Sequence, residues 1–213
     1  MEPLTGPHLN LKSRILSHIA HLEKDRKFRK ILQAQDPMVL EKRKKVYLRL
    51  CSSIMSQQLS TKVARVIYAR FLNIYGDKEP TAKQILDTPF DKLRAIGLSN
   101  AKTHYIHNVC QFFIENNITD ERLARMTDQE VIEELTKIKG VGKWTVQMIL
   151  MFTLGREDIF AIDDLGIQQA IAKLYQLEAT NKKLLKEKML EISSKWAPYR
   201  TYACRYLWNW KDL

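Results

Sequence analysis

Apolar residues recur along most of the chain at steps of three and four, and no stretch alternates apolar with polar over the length of a strand. Residues 11–24 bring Leu11, Ile15, Ile19 and Leu22 to one face, with His18, His21 and Lys24 off it. Residues 60–75 align Val63, Val66, Ile67 and Phe71 and turn Lys62, Arg65 and Arg70 outward. Thr127 to Glu130 and Thr81 to Gln84 each set threonine three residues before Glu or Gln, the capping box that satisfies orphan N–H groups at a helix start. Gly76, Gly97 and Gly155 stand where helices should stop, because glycine takes the left-handed closing position without a Cβ clash. These signals predict an all-α protein. The run Lys42-Arg43-Lys44-Lys45 and the lysines 182, 183, 186 and 188 fall on predicted helices, where such runs usually form solvated faces.

Length and composition narrow the partner class. The 213 residues suffice for one large domain or two small lobes with a buried core, and no low-complexity linker or solenoid repeat divides them. Lys and Arg number 35 against 24 acidic residues, a net charge of +11 that favours a polyanion through counterion release. An anionic membrane surface is the rival explanation, but no amphipathic terminal segment argues for it. No apolar stretch approaches a membrane span, and MEPLTGPHLN lacks the charged start and apolar run of a signal peptide. The expectation is an intracellular, reduced protein. Cys51, Cys110 and Cys204 lie in apolar helical contexts and read as buried free thiols, too few for a four-cysteine iron–sulfur cluster. His18 with His21 and His104 with His107 have metal-compatible spacing but no third ligand, so no metal site is expected there.

The most informative segment runs from Leu135 to Gly166. Gly140-Val141-Gly142, flanked by Lys139 and Lys143, bends the chain sharply before an apolar helix from Trp144 to Leu154. Unpaired N–H groups at that helix start suit a phosphate. A tight helix–helix connection explains the glycines equally well. Asp163 and Asp164 follow. Either one can cap the next helix before Leu165, and either can stand as a fixed negative charge.

Residues 138–145, with Asp164 placed 22 positions after Gly142, resemble the helix-hairpin-helix DNA glycosylase superfamily, and within it the 3-methyladenine DNA glycosylase II group. The resemblance covers roughly residues 45–213. It implies a single glycosylase unit over 1–213 with two helical lobes, approximately 36–155 and 1–35 plus 156–213, and a DNA-binding cleft between them. It assigns the DNA backbone to Gly140, Gly142, Lys139, Lys143 and Thr145, catalysis to Asp164, and a capping, structural role to Asp163. Trp144 and Trp208 match base-pocket tryptophans; Met148 stands where relatives place a pocket tyrosine, which alters the pocket's shape. The corner Ser53 to Ser60 implies a minor-groove wedge at Gln58, with Gln57 as the alternative tip. No cofactor is required, although the family's hairpin often holds a monovalent or divalent cation on its carbonyls, here those of Thr136, Ile138 and Gly140.

Trp144 occupies the position where bifunctional relatives carry a nucleophilic lysine, so hydrolysis without strand cleavage is expected. The resulting expectation is a monomeric, monofunctional DNA glycosylase that removes alkylated purines from double-stranded DNA in base excision repair, in the bacterial cytoplasm or the eukaryotic nucleus. The alternatives are a non-catalytic helix-hairpin-helix DNA-binding protein and a glycosylase for deaminated or other damaged bases.

Overall fold

A computed structural model describes residues 17–178 and 181–211, and all regular structure among them is helical. Residues 17–22 are helical, followed by α1 (Arg26–Gln33), α2 (Val46–Ser56), α3 (Thr61–Asn73), α4 (Ala82–Leu86), α5 (Phe90–Arg94) and α6 (Asn100–Glu115). Then come α7 (Asp120–Arg125), α8 (Asp128–Leu135), α9 (Lys143–Phe152), α10 (Leu165–Tyr175), α11 (Lys182–Ser194) and α12 (Arg200–Lys211). Both expected capping boxes form, at Thr81 and Thr127. Gly76, Gly97 and Gly155 take positive φ of 66°, 108° and 64° past helix ends. The chain divides into two compact units: Lys42–Leu154, and Met1–Glu41 with Gly155–Leu213.

In the unit 42–154 the central element is α2. Val46, Leu48, Leu50, Cys51, Ile54 and Met55 are buried on more than one side of it, so it needs partners around its girth. These are α3, α6 and α9. The inner face of α6 supplies Thr103, Ile106, Val109, Cys110 and Phe113. Cys51 and Cys110 meet at 4.0 Å as buried free thiols, and Cys204 is likewise free and buried in the other unit. Their mutual hydrogen bond and burial push the Cys51 thiol well above its usual range.

Two expectations need correction here. The run Lys42 to Lys45 lies outside the helix, on the strap that enters α2, where Arg43 N–H donates to the Thr153 carbonyl at 2.8 Å. The entry is closed by Asp120, whose carboxylate accepts from Lys45 N–H at 2.6 Å and Val46 N–H at 2.9 Å. In α3 only Ile67 and Phe71 are buried. Val63 and Val66 are 45% and 44% exposed, so the buried face of the helix is narrower than its apolar spacing suggests.

The unit built from the two chain ends packs α10 against α12, α11 and α1. Its core includes Phe28, Ile31, Ile167, Ile171, Met189, Trp196, Tyr206 and Leu207. His18, expected off the apolar face, is buried and stacks on Tyr202 with ring centroids 3.9 Å apart. Leu11 and Ile15 lie outside the described residues. The strap 35–39 belongs to this unit because Gln35 Nε2 donates to the Tyr206 carbonyl and Met38 N–H to Tyr206 Oη, both at 3.0 Å. Arg205 Nη1 donates to the Val39 carbonyl, also at 3.0 Å.

Asp120→Ala removes a charged acceptor from two N–H groups at once. We expect a loss of about 2 kcal/mol, read as a lower urea midpoint with an unchanged slope.

Candidate active site

The hairpin joins α8 to α9. Val141 N–H closes a turn onto the Ile138 carbonyl at 3.0 Å, and Gly140 passes through φ 100°. A Cβ on Gly140 would lie 2.2 Å from Tyr105 Cγ, so both backbone and packing demand glycine. Gly142 is different. It is the N-cap of α9 with φ −92°, and a Cβ there would meet nothing within 4 Å. As a glycine cap it gives α9 no side-chain hydrogen bond, and the dipole at such a helix start suits an anion. Lys139 and Lys143 are exposed beside it. The Thr145 side chain is 3% exposed and packed into the core side of α9, so a role on the DNA backbone would fall to its main-chain N–H.

Trp144 stands on the first turn of α9 with 40% of its surface exposed, an unusual placement for an indole. Met148, one turn later, is half-buried on the same side.

The corner after α2 is a reverse turn over Ser56–Leu59, closed by Leu59 N–H on the Ser56 carbonyl at 3.1 Å. Gln57 has φ −51° and ψ 131°, and Gln58 has φ 59°. This is the type II pattern with glutamine where glycine is preferred, a left-handed conformation costing on the order of 1 kcal/mol. Gln58 is the exposed tip; Gln57 is half-buried. Ser60 then caps α3, accepting from Val63 N–H at 3.4 Å.

Helix α6 touches both turns. Lys102 Nζ donates to the Met55 carbonyl at 3.0 Å and to the Gln57 carbonyl at 2.6 Å. Tyr105 lies under Gly140, and Asn108 Nδ2 donates to the Lys139 carbonyl at 3.1 Å. His104, on the same helix, lies against the Phe90 ring at 4.6 Å.

In the other unit Asp164 is itself the N-cap of α10. Its Oδ1 accepts from Ile167 N–H at 2.8 Å and from Trp208 Nε1 at 2.8 Å. The capping role expected of Asp163 therefore falls to Asp164. Asp163 points to the surface, 50% exposed, and receives Lys186 Nζ at 2.5 Å. Trp208, expected only as a pocket wall, also orients the carboxylate. Gly166, which sequence reasoning passed over, makes this contact possible: a Cβ there would lie 3.1 Å from Asp164 Oδ1 and 3.2 Å from Trp208 Cδ1. The approach to Asp164 is fastened to α12. Arg200 holds Asp158 through Nε at 2.7 Å and Nη2 at 2.8 Å, and Thr201 Oγ1 bridges the Arg156 carbonyl and Ile159 N–H. Burial, with a smaller contribution from the Asp164 charge, pushes the Cys204 thiol up to about 12. That leaves it a packing group, not a nucleophile. Among the described residues no group of three or more His, Cys, Asp or Glu is arranged for a metal ion, and no helix is long and apolar enough to cross a membrane.

The two hairpin glycines should separate in a stability measurement. Gly140→Ala loses more than about 2 kcal/mol in denaturant unfolding through strain and collision with Tyr105. Gly142→Ala stays within about 1 kcal/mol of the parent.

Comparison with known proteins matches this geometry. Residues 51–195 match the HhH-GPD superfamily base excision DNA repair protein family. DNA-3-methyladenine glycosylase 1 of Schizosaccharomyces pombe is 38% identical over 173 residues, covering 80% of this chain and 75% of that protein. A putative DNA-3-methyladenine glycosylase of Bacillus subtilis, YfjP, is 34% identical over 182 residues, covering 83% of this chain and 62% of that protein. Among solved structures, S. pombe 3-methyladenine DNA glycosylase in complex with abasic DNA superimposes with a TM-score of 0.82 at 33% identity, covering 92% of this chain and 97% of that one. A Clostridium acetobutylicum 8-oxoguanine glycosylase/lyase, with a TM-score of 0.74 at 16% identity, shares the fold alone. The all-helical chain belongs to the HhH-GPD superfamily of base excision DNA repair proteins.

Proposed function

We propose that this chain is a monofunctional DNA glycosylase that hydrolyses the N-glycosidic bond of alkylated purines, of the 3-methyladenine and 7-methylguanine type, in double-stranded DNA. The observation that carries the reading is Asp164, a carboxylate fixed at one oxygen by two donors, Ile167 N–H and Trp208 Nε1. The named relatives, 38% and 34% identical DNA-3-methyladenine glycosylases, support the substrate class.

The chemistry asks little more. An N3- or N7-alkylated purine is already cationic, so it departs with the electron pair of the C1′–N bond without a general acid. Positive charge then develops on the sugar, and a preorganised carboxylate stabilises it at no reorganisation cost. Water adds to C1′ and gives up a proton, leaving an abasic site. The Trp144 indole supports recognition, since an electron-poor base extruded from the stack gains most from an electron-rich ring. With Trp144 where lyases carry lysine, no Schiff base forms.

The backbone grip falls to Gly140, Gly142, Lys139, Lys143 and the N–H of Thr145 at the uncapped start of α9. The carbonyls of Thr136, Ile138 and Gly140 would hold a monovalent or divalent cation, supplying positive charge beside a phosphate; that of Ile138 accepts from Val141 N–H and keeps a second lone pair. Gln58, exposed at its turn, is the wedge that fills the space of the flipped nucleotide. The protein acts as a monomer wherever its duplex substrate lies, in bacterial cytoplasm or eukaryotic nucleus.

Asp164→Asn tests the reading cleanly, because asparagine caps helices as well as aspartate and its carbonyl oxygen can take the same two donors. Release of methylated purines from alkylated DNA, followed by mass, should fall at least about 100-fold. Binding to abasic duplex should stay near the parent's. Excision at the parent's rate would sink the assignment.

A further inference from the structure

The turn that carries Gln58 is in the less favourable of two available forms. Type I and type II turns differ by a flip of the peptide between their two central residues, here the Gln57–Gln58 peptide. In the type I form Gln58 would have negative φ, which suits glutamine; in the observed form it is left-handed at 59°. Something must hold the flipped peptide. The carbonyl of that peptide is the Gln57 carbonyl, and Lys102 Nζ lies 2.6 Å from it.

We propose that Lys102 is a positioning residue for the wedge: by gripping the Gln57 carbonyl it selects the turn form that presents Gln58 at an exposed left-handed tip. The proposal rests on the reading of Gln58 as the wedge. The ammonium also takes the Met55 carbonyl at 3.0 Å, so two of its three donors are committed to this corner from a different helix. Its half-buried setting lowers the Lys102 pKa from the ordinary lysine value, by desolvation alone. The carbonyl dipoles at the end of α2 favour a cation there. A plain C-terminal cap of α2 would need only the helix carbonyls. The shorter contact instead goes to Gln57, beyond the last helical residue.

Two measurements test this. In the first, a duplex carries 2-aminopurine opposite a tetrahydrofuran abasic analogue, and the full chain is titrated against it while fluorescence reports unstacking. Gln58→Ala and Lys102→Met should each reduce the fluorescence rise and weaken abasic relative to undamaged binding roughly tenfold, with the double variant no worse than either. Lys102→Arg, able to donate to both carbonyls, should restore the rise. A parent-like rise with Lys102→Met, while Gln58→Ala loses it, overturns the proposal and leaves the wedge reading intact. A parent-like rise with Gln58→Ala overturns the wedge reading and the proposal with it.

The second measurement uses no DNA. Lys102→Met lowers the thermal midpoint, and the drop should be larger in the Gln58→Gly background: with glutamine the released turn recovers part of the loss by flipping out of the left-handed form, whereas glycine has no Cβ strain to recover. An equal drop in both backgrounds makes Lys102 a simple helix cap and overturns the proposal.

Discussion

A helix leaves four N–H groups at its start and four carbonyls at its end without partners inside it, and in a chain that is helical throughout these ends recur at every turn. Each must be closed by a side chain, by a neighbouring element or by something from outside. Most are closed locally: Asp25, Ser60, Thr81, Ser99, Thr119, Thr127 and Asn181 each accept from their own helix. The residues that carry the proposed chemistry lie at ends that are not closed in this way alone, and the start of α2, which distant Asp120 closes, is a further such end. At α9 the cap is a glycine with no side chain to give. At α10 the cap is a carboxylate that also takes an indole N–H from 44 residues away. At the end of α2 the closing group is an ammonium from α6.

Asp164, to which the proposed chemistry is assigned, thus caps its helix and takes the indole N–H through the same oxygen. The cap fixes its position along α10, and the Trp208 indole N–H, from a different helix, fixes its rotation. Asp163, one residue earlier, is tied to exposed Lys186, an interaction worth little in water. Burial of Asp164 among apolar neighbours is not what defines the site. The hydrogen bonds from Ile167 N–H and Trp208 Nε1, with no Cβ at Gly166, set its place.

Much of this was legible in the chain because it is local. The two capping boxes and the glycine stops depend on residues within a few positions of one another, and they appear where expected. Gln58, Trp144 and Asp164 are singled out by the family resemblance, which local pattern alone does not supply. What escaped depends on distant partners. Val63 and Val66 have a core-like spacing, but nothing in the sequence tells that they stay exposed. His18 reads as polar and is buried because Tyr202 offers it a face. Adjacent aspartates are equivalent caps locally; Trp208 and the turn that sets Asp164 N–H on the Ala161 carbonyl at 3.0 Å distinguish them. Lys102, Tyr105 and Asn108 look like ordinary helix-surface residues until their partners, drawn from 55–57 and 139–140, are known.

Those three residues lie at successive steps of three along α6, and a helix keeps count. Each residue added or removed turns everything beyond it by about 100° and shifts it about 1.5 Å. Substitutions on the outer face of α6 leave the brace in register. A single insertion or deletion between Lys102 and Asn108 would uncouple the corner turn from the hairpin, whatever residue it involved. Length variation in this protein's lineage should therefore collect in the connections outside α6, while the six steps from Lys102 to Asn108 stay invariant in number even where their letters drift.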